Sequence, residues 1–253
     1  MTSSVSPLIR LSTLAFAATL GLSACGSDDN DDAAPETPSP DTGTSLEVPE
    51  TPEATEQETE LAETLEADFE VTNAATLEDQ WPDLTAMAAA LTGTEDPDLC
   101  QQAGAEQYGL IVDAQPPTVQ AAFDPEALLD EHASGETVTV FYANDAVTTA
   151  QLHEVHQDTD TSCVEEYESA IDHNTTTSEV AGRSVEVHTW QVVASEQLTG
   201  RMIDVINEDI LVRYAAAYPP QVIVEDLEDD AAETFNDAAT ERAFEVFEAA
   251  IAQ

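Results

Sequence analysis

The sequence predicts an α+β domain, in which an antiparallel sheet of about four to six strands is packed by helices on one side. Three observations support this fold class. Segments with helical spacing of apolar residues come first, alternating or β-branched segments dominate residues 185–214, and residues 230–252 are again helical in pattern. In that last segment Phe235, Ala239 and Phe247 belong to one apolar stripe, which indicates a C-terminal helix lying on the sheet.

Residues 1–24 have the layout of a secretory signal peptide. Arg10 precedes an apolar run that is too short to span a bilayer and that ends in small residues. The motif Leu-Ser-Ala-Cys at Leu22–Cys25 then resembles the lipobox of bacterial lipoproteins. The resemblance implies that the Cys25 thiol is diacylated, that the chain is cut just before it and that the new N-terminus can be acylated too. Two or three acyl chains, such as palmitate, would then anchor the protein on the extracytoplasmic face of the cell membrane. The alternative is an ordinary secretory signal followed by a chance cysteine.

Residues 25–66 are expected to hold the lipidated cysteine and a disordered acidic tether, because they are rich in Asp, Glu, Pro and Thr and poor in large apolar residues. The acidic run at 28–32 has the composition of a calcium-binding loop but lacks the glycine and the distal glutamate at the required offsets. Residues 67–253 are then expected to form one domain.

The chain carries 53 acidic residues against five Lys and Arg, which gives a formal net charge of −48. Such a surface repels nucleic acid and anionic lipid headgroups, so neither is an expected partner. The acids are dispersed along the chain rather than clustered at fixed spacing. We therefore favour surface adaptation to high salt over a dedicated cation-binding function, which is the alternative.

Cysteine usage agrees with export. With Cys25 assigned to lipid, Cys100 and Cys163 remain, and an even pair outside the cytosol predicts one disulfide. The alternative is that the two thiols bind a metal, but no CxxC motif supports it. No cofactor is predicted.

The first helix of the domain is predicted to begin after Thr76, with Asp79 as its capping partner, and to end at Gly93. The later elements follow from capping residues, periodicity and turn residues. They are a short helical turn from Asp98, a strand at 108–112, a helix from Asp124, a strand at 137–142, a helix from Asn144, a polar turn at 173–179, a strand at 185–193, and a hairpin formed by 201–206 and 210–214.

Part of this order resembles the extracellular sensor-like domain of actinobacterial membrane-anchored Ser/Thr kinases, which also occurs in stand-alone lipoproteins. The resemblance covers about residues 75–252. It depends on the strand Val138–Tyr142, the helix start Asn144-Asp145-Ala146, a downstream cysteine, and a hairpin that is opened by Gly200-Arg201 and contains Asn207. It implies a mixed α/β fold with a ligand groove. Members of that family usually hold two disulfides, whereas this chain has cysteines for one.

Two sets of residues are candidates for binding. His153 and His156, with His173, invite a metal-site interpretation, but the zincin motif needs its second histidine four residues after the first, where this chain has Gln157. No metal is therefore predicted. The second set is Arg183, Arg201 and Arg213. These rare cations either pair with neighbouring acids or form an anion-binding patch.

No catalytic constellation stands out, since the chain has no G-x-S-x-G elbow and no glycine-rich phosphate loop. The sequence favours a non-enzymatic cell-envelope lipoprotein that presents a ligand- or partner-binding, sensor-like domain. An envelope solute- or metal-binding lipoprotein is the first alternative, and an exported hydrolase is the second. The ligand, the partner and the oligomeric state do not follow from the sequence.

Overall fold

The computed structural model describes residues 49–130, 132–166, 170–194, 197–219 and 231–253. The predicted signal peptide, Cys25 and most of the predicted tether lie outside these ranges. None of the helices within them is long and apolar enough to cross a membrane.

Seven strands form one antiparallel sheet in the order β1-β2-β3-β7-β6-β5-β4. The elements in the described ranges are α1 (Glu56–Asp68), β1 (Val71–Thr76), α2 (Leu77–Thr92), α3 (Leu99–Ala114), β2 (Thr118–Phe123), β3 (Gly135–Tyr142), α4 (Thr149–Glu166), β4 (Ala170–Val180), β5 (Arg183–Ala194), β6 (Gln197–Ile206), β7 (Ile210–Ala217) and α5 (Ala231–Ile251). The predicted α+β class is confirmed, but the sheet has more strands than the four to six expected, because β1, β2 and β4 were not predicted.

Helices cover both faces of the sheet, not one. On β7, the ring of Tyr214 contacts Phe235 of α5, whereas the preceding Arg213 pairs with Asp160 of α4. Successive side chains of a strand point to opposite faces. Helices α1 and α5 therefore pack on one face and form the larger core with it, and α2, α3 and α4 pack on the other. The domain has three layers.

Helix α1 corrects the predicted boundary between tether and domain. Leu61 and Leu65 are fully buried in the larger core, and Thr55 caps the helix. The folded part thus begins by Glu56, inside the span 25–66 that composition assigned to the tether. The two leucines are four residues apart, so they lie on one face of the helix, and most of its acids face solvent.

The cap predicted for the first helix of the domain is confirmed in α2. The backbone N–H and the hydroxyl of Thr76 both donate to the Asp79 carboxylate at 3.0 Å, and Gly93 follows the last turn. Pro82 lies inside the helix, which continues through it.

The strand predicted at 108–112 is wrong, because these residues form the second half of the 16-residue helix α3. Tyr108, Ile111 and Val112 are buried at helical spacing, and Asp98 caps the helix by accepting from the N–H of Gln101 at 2.7 Å. A short apolar run is compatible with the residue spacing of a helix and with that of a strand. The cap at Asp98 is the feature that distinguishes the helix here.

Three further local predictions need correction. No helix begins at Asp124, which starts a turn instead. The helix expected from Asn144 begins at Thr149, since the Asn144 side chain accepts the N–H groups of Ala146 and Val147 in a turn before it. Residues 173–179, predicted as a turn, lie within β4, where consecutive threonines favour an extended backbone.

The remaining strand predictions are confirmed in β3, β5 and the β6–β7 hairpin, and the C-terminal helix lies on the sheet as α5. Strands β4 and β5 are joined by Ala181 and Gly182, whose φ values of 49° and 75° are both positive, as a type I′ turn requires. The predicted disulfide between Cys100 and Cys163 is present and ties α3 to α4, with the two Cα atoms 4.2 Å apart.

Candidate functional site

The register of the sheet aligns one polar residue from each of six neighbouring strands. Directly opposite residues of antiparallel strands share a face of the sheet, and this row lies on the face covered by α4. It separates an apolar cluster under α2 and α3 from a second one around Trp190. We call it the polar row; its members are Gln120, Thr139, Arg213, Asp204, His188 and Thr175.

Helix α4 adds charged and aromatic groups above the middle of the polar row. His153 Nδ1 lies 3.2 Å from Oδ2 of Asp204, which is fully buried. Arg213 Nε lies 3.6 Å from the other Asp204 oxygen, and the same guanidinium pairs with Asp160. Opposite charges thus offset the cost of burying Asp204 in the protein interior.

The charges around Asp204 and Arg213 determine the ionisation of this buried pair. Burial by itself would raise the pKa of Asp204, but Arg213 and the hydrogen bond with His153 outweigh it and lower this pKa. Burial likewise opposes the charge of Arg213, but Asp160 and Asp204 outweigh it and raise the guanidinium pKa. Asp204 and Arg213 are therefore both charged at neutral pH.

His156 belongs to the core and not to a ligand set. Its ring packs against Phe141 with centroids 5.2 Å apart, and its Nδ1 lies 2.7 Å from the carbonyl oxygen of Leu152. Burial, and then the positive charge of Arg213, lowers the pKa of His156 to about 3. The ring is therefore neutral over the physiological range.

The outer end of the polar row brings two histidines and a threonine together. His173 Nε2 lies 3.2 Å from His188 Nδ1, and Thr175 Oγ1 lies 3.1 Å from His188 Nδ1 and 3.3 Å from His173 Nε2. We call these three atoms the histidine–threonine triangle. Both imidazole rings stack with Trp190, at centroid distances of 4.9 and 5.6 Å. Burial, followed by the nearby His153, lowers the pKa of both histidines.

Some buried polar atoms of this region lack a hydrogen-bond partner among the described residues. They are Nε2 of His153, Nε2 of His188 and Oδ1 of Asp204. His188 Nε2 does lie 3.5 Å from the exposed carboxylate of Glu186. Nearly all buried polar atoms of folded proteins are hydrogen-bonded, so these atoms are candidates for binding a water molecule or another polar group.

The three histidines considered for metal binding lie in different environments. His153 bonds to Asp204, His156 is held in the core, and His173 meets His188, a residue that sequence reasoning did not single out. In the part of the chain that the structure describes, no three His, Cys, Asp or Glu side chains are arranged to hold a metal ion.

The three arginines considered for anion binding do not share a surface. Arg183 pairs with Asp209 at 2.6 Å, with both side chains largely exposed. Arg201 is buried on the α5 face, 3.3 Å from Asp130, and Arg213 lies on the opposite face in the polar row. Each cation thus has a carboxylate partner, which is the pairing that sequence reasoning weighed against an anion-binding patch.

Two buried glutamates on the other side of the molecule have structural roles. Glu58 accepts the backbone N–H groups of Leu77 at 3.1 Å and Thr118 at 2.8 Å. Glu136 accepts the N–H of Leu129 at 2.8 Å and the hydroxyl of Tyr214. Sequence reasoning missed both. The Thr-x-x-Glu spacing at 55–58, a capping-box pattern, is a signal that could have found Glu58.

A shallow pocket of about 240 Å³ lies between α1, the end of α5 and the start of β7. Gln57, Arg183, Asp209 and Ile251 are among the residues that line it. This volume is below that of typical small-molecule sites, and its cation is already paired. The polar row and its outer triangle are therefore the stronger candidate site.

Comparison with known proteins found no matching protein family, no similar curated protein and no similar solved structure.

Proposed function

We propose that this chain is a cell-envelope lipoprotein, held by lipid at Cys25 on the extracytoplasmic face of the membrane, that presents a non-catalytic ligand- or partner-binding domain. The observation that carries the proposal is the lipobox-like motif Leu22–Cys25 at the end of a signal-type apolar run. The disulfide between Cys100 and Cys163 supports it, because such bonds persist in oxidising compartments outside the cytosol.

The chemistry of the domain supports a binding role. Glu58, Glu136 and Arg201 are buried, and each is occupied by hydrogen bonds or an ion pair that hold elements together. The polar row differs, because its outer end presents imidazole nitrogens and a hydroxyl close to the surface, where they can contact a ligand. Recognition by a few converging polar groups is what a sensor-like domain requires.

Fatty-acid labelling tests the anchor. The full-length chain is expressed in a bacterium that processes lipoproteins and is fed an alkyne analogue of palmitate. We expect the wild-type chain to carry the label and to be found in the membrane fraction. Mass spectrometry should place its mature N-terminus at Cys25. In the Cys25→Ser variant the label and the membrane association should both be lost, because the acylated thiol is gone.

The double variant Cys100→Ser, Cys163→Ser is the matched control, since it removes the other two thiols and should retain the label. Label that persists in the Cys25→Ser variant would contradict the proposal. So would a mature wild-type protein that begins upstream of Cys25.

A further inference from the structure

We propose that strand β4 is the docking edge for an extended, cationic segment of a partner protein, which adds to the seven-stranded sheet as a further strand. The inference names the kind of partner that the binding domain takes, so it rests on the proposed partner-binding role and not on the lipid anchor. It depends on three features of β4, which are its backbone, its charge and its position beside the polar row.

The backbone of β4 leaves every second residue available to another strand. The two-residue turn at Ala181 and Gly182 makes Val180 and Arg183 a hydrogen-bonded pair. The register continues from this pair without a bulge, so alternate residues of β4 bond to β5 and the residues between them point their N–H and C=O groups away from it. No hydrogen bond from a described residue reaches the backbone groups of these outward residues. The outward residues are Ile171, His173, Thr175, Thr177 and Glu179.

The other edge of the sheet, β1, is protected in ways that β4 is not. Strand β1 has six residues and a register irregularity between Val71 and Asn73, and the N–H of Ala74 donates to Glu66 of α1 at 3.1 Å. Short length, bulges and covering helices are common means by which proteins block strand addition. Strand β4 has 11 mostly exposed residues and no lysine, arginine or proline. Strand addition is therefore open at β4.

The charge around β4 selects the partner. Asp172 and Glu179 lie near the two ends of the strand, and Glu186 of β5, whose side chain is 63% accessible, lies opposite Thr177. Opposite charges that face each other across two strands stabilise the pair, and like charges destabilise it. A net charge of −48 also repels acidic chains, a second copy included, and attracts cationic ones. A strand with lysine or arginine near both ends therefore fits this edge.

An added strand also lies beside the outer end of the polar row. Thr175 is the last member of the row, and residues directly opposite each other on two strands share a face of the sheet. The partner residue paired with Thr175 therefore comes within reach of the Thr175 hydroxyl and the His173 imidazole. In strand addition the backbone hydrogen bonds supply affinity, and side-chain contacts of this kind supply specificity.

Binding of a designed peptide to the full-length chain, purified in detergent at physiological ionic strength, tests the proposal. The peptide has the length of β4, consists of threonine and valine, and carries lysines near both ends. Its counterpart carries glutamates in their place. We expect the lysine peptide to bind and the glutamate peptide not to bind. Amide hydrogen exchange should then slow at the outward residues of β4, because their N–H groups gain acceptors, and should change little at the residues between them.

Two substitutions at one position separate backbone pairing from side-chain contact. Thr177→Pro removes an outward N–H without removing a hydrogen bond to β5. It should bind the lysine peptide about tenfold more weakly than Thr177→Val, which keeps the N–H. Circular dichroism verifies that each variant is folded.

Two double variants of equal charge separate the edge from the rest of the acidic surface. Asp172→Lys with Glu179→Lys should bind the lysine peptide about fivefold more weakly than Asp83→Lys with Glu126→Lys, which changes exposed acids outside β4. This comparison decides the matter if Thr177→Pro does not fold.

The proposal is overturned if the lysine peptide does not bind, if Thr177→Pro binds it as tightly as Thr177→Val does, or if the two double variants bind it equally. In the last two cases general charge attraction would account for binding. The proposal also fails if sedimentation without peptide shows two copies that associate and that Thr177→Pro separates, since the occupant would then be a second copy. Labelling at Cys25 is measured separately, so loss of the docking edge leaves the anchor untouched.

Discussion

On the face covered by α1 and α5, the buried carboxylate of Glu136 accepts two backbone N–H groups and the hydroxyl of Tyr214. On the face covered by α4, the buried Asp204 is held by His153 and Arg213, and its Oδ1 lacks a hydrogen-bond partner among the described residues. Glu136 is thus held by backbone donors in addition to side chains, whereas the partners of Asp204 are side chains. The first face therefore holds its buried carboxylate with more hydrogen-bond donors than the second face does.

The largest expected effect concerns the disulfide between Cys100 and Cys163, which ties α3 to α4. The double variant Cys100→Ser, Cys163→Ser should lower the free energy of unfolding by about 4 kcal/mol, because the disulfide closes a loop with a sequence separation of 63 residues. Urea denaturation under oxidising conditions measures the loss. The single variant Cys25→Ser should unfold as the wild type does. A loss below about 1 kcal/mol in the double variant would show that the packing of α2, α3 and α4 on the sheet is sufficient without the disulfide.

Substitutions of the two buried carboxylates test the comparison. Glu136→Ala should cost about 3 kcal/mol, since it leaves two N–H groups and a buried hydroxyl without an acceptor. Asp204→Asn should cost less, about 1–2 kcal/mol, because Asp160 still neutralises Arg213. Chemical denaturation provides both values, with the exposed Glu126→Ala as the neutral control. Equal losses for Glu136→Ala and Asp204→Asn would remove the distinction between the faces.

The pH dependence of stability should identify His156 as a buried neutral group of the α4 face. Its folded pKa of about 3 lies below its ordinary value of 6.5, so the unfolded chain binds the additional proton between these limits. The contribution of neutral His156 to the free energy of unfolding is complete above pH 6.5. It is lost as the pH falls, by up to about 1.4 kcal/mol per pH unit. His156→Phe should flatten that acid slope.

Denaturation curves from pH 7 to pH 4.5 measure the slope in both proteins. The difference between them isolates His156 from the acids and from His173 and His188, which titrate in both. His132→Phe should leave the slope unchanged. A His156→Phe variant with the wild-type slope would show that the pKa of His156 does not differ between the folded and the unfolded state.

The smallest effect is expected for the exposed ion pair of Arg183 and Asp209, whose side chains are 43% and 58% accessible. Arg183→Ala should change the free energy of unfolding by less than about 1 kcal/mol, and the change should disappear in molar salt. Thermal melts at low and high sodium chloride provide the measurement. A loss of several kcal/mol would mean that surface cations contribute as much as the buried ones.

Local signals in the sequence predicted local structure well. Thr76 and Asp79 identified the start of α2, Gly93 identified its end, and the apolar stripe containing Phe235 and Phe247 identified α5. These features act within a few residues and need no knowledge of the fold. The cysteine count predicted the disulfide for the same reason, because it needs only parity and an exported context.

The polar row could not be predicted in this way. His188, Asp204 and Arg213 are neighbours only because two hairpins set the strand register, and a shift of one residue would turn each side chain to the other face. The triangle needs β4 as well, and β4 was hidden because its polar residues were interpreted as a turn. Because the chain has 53 acidic residues, no local sequence feature distinguishes the buried Asp204 and Glu136 from the other acids.

Strand β4 sits at the edge of the sheet, and its 11 residues are mostly exposed. An open edge of that length is a template for pairing with another copy of the same chain. Mutual repulsion between molecules of charge −48 keeps two such edges apart in dilute buffer. At 1 M salt that repulsion reaches only about 3 Å, so the tendency of this edge to pair with a second copy is expected to rise with salt concentration.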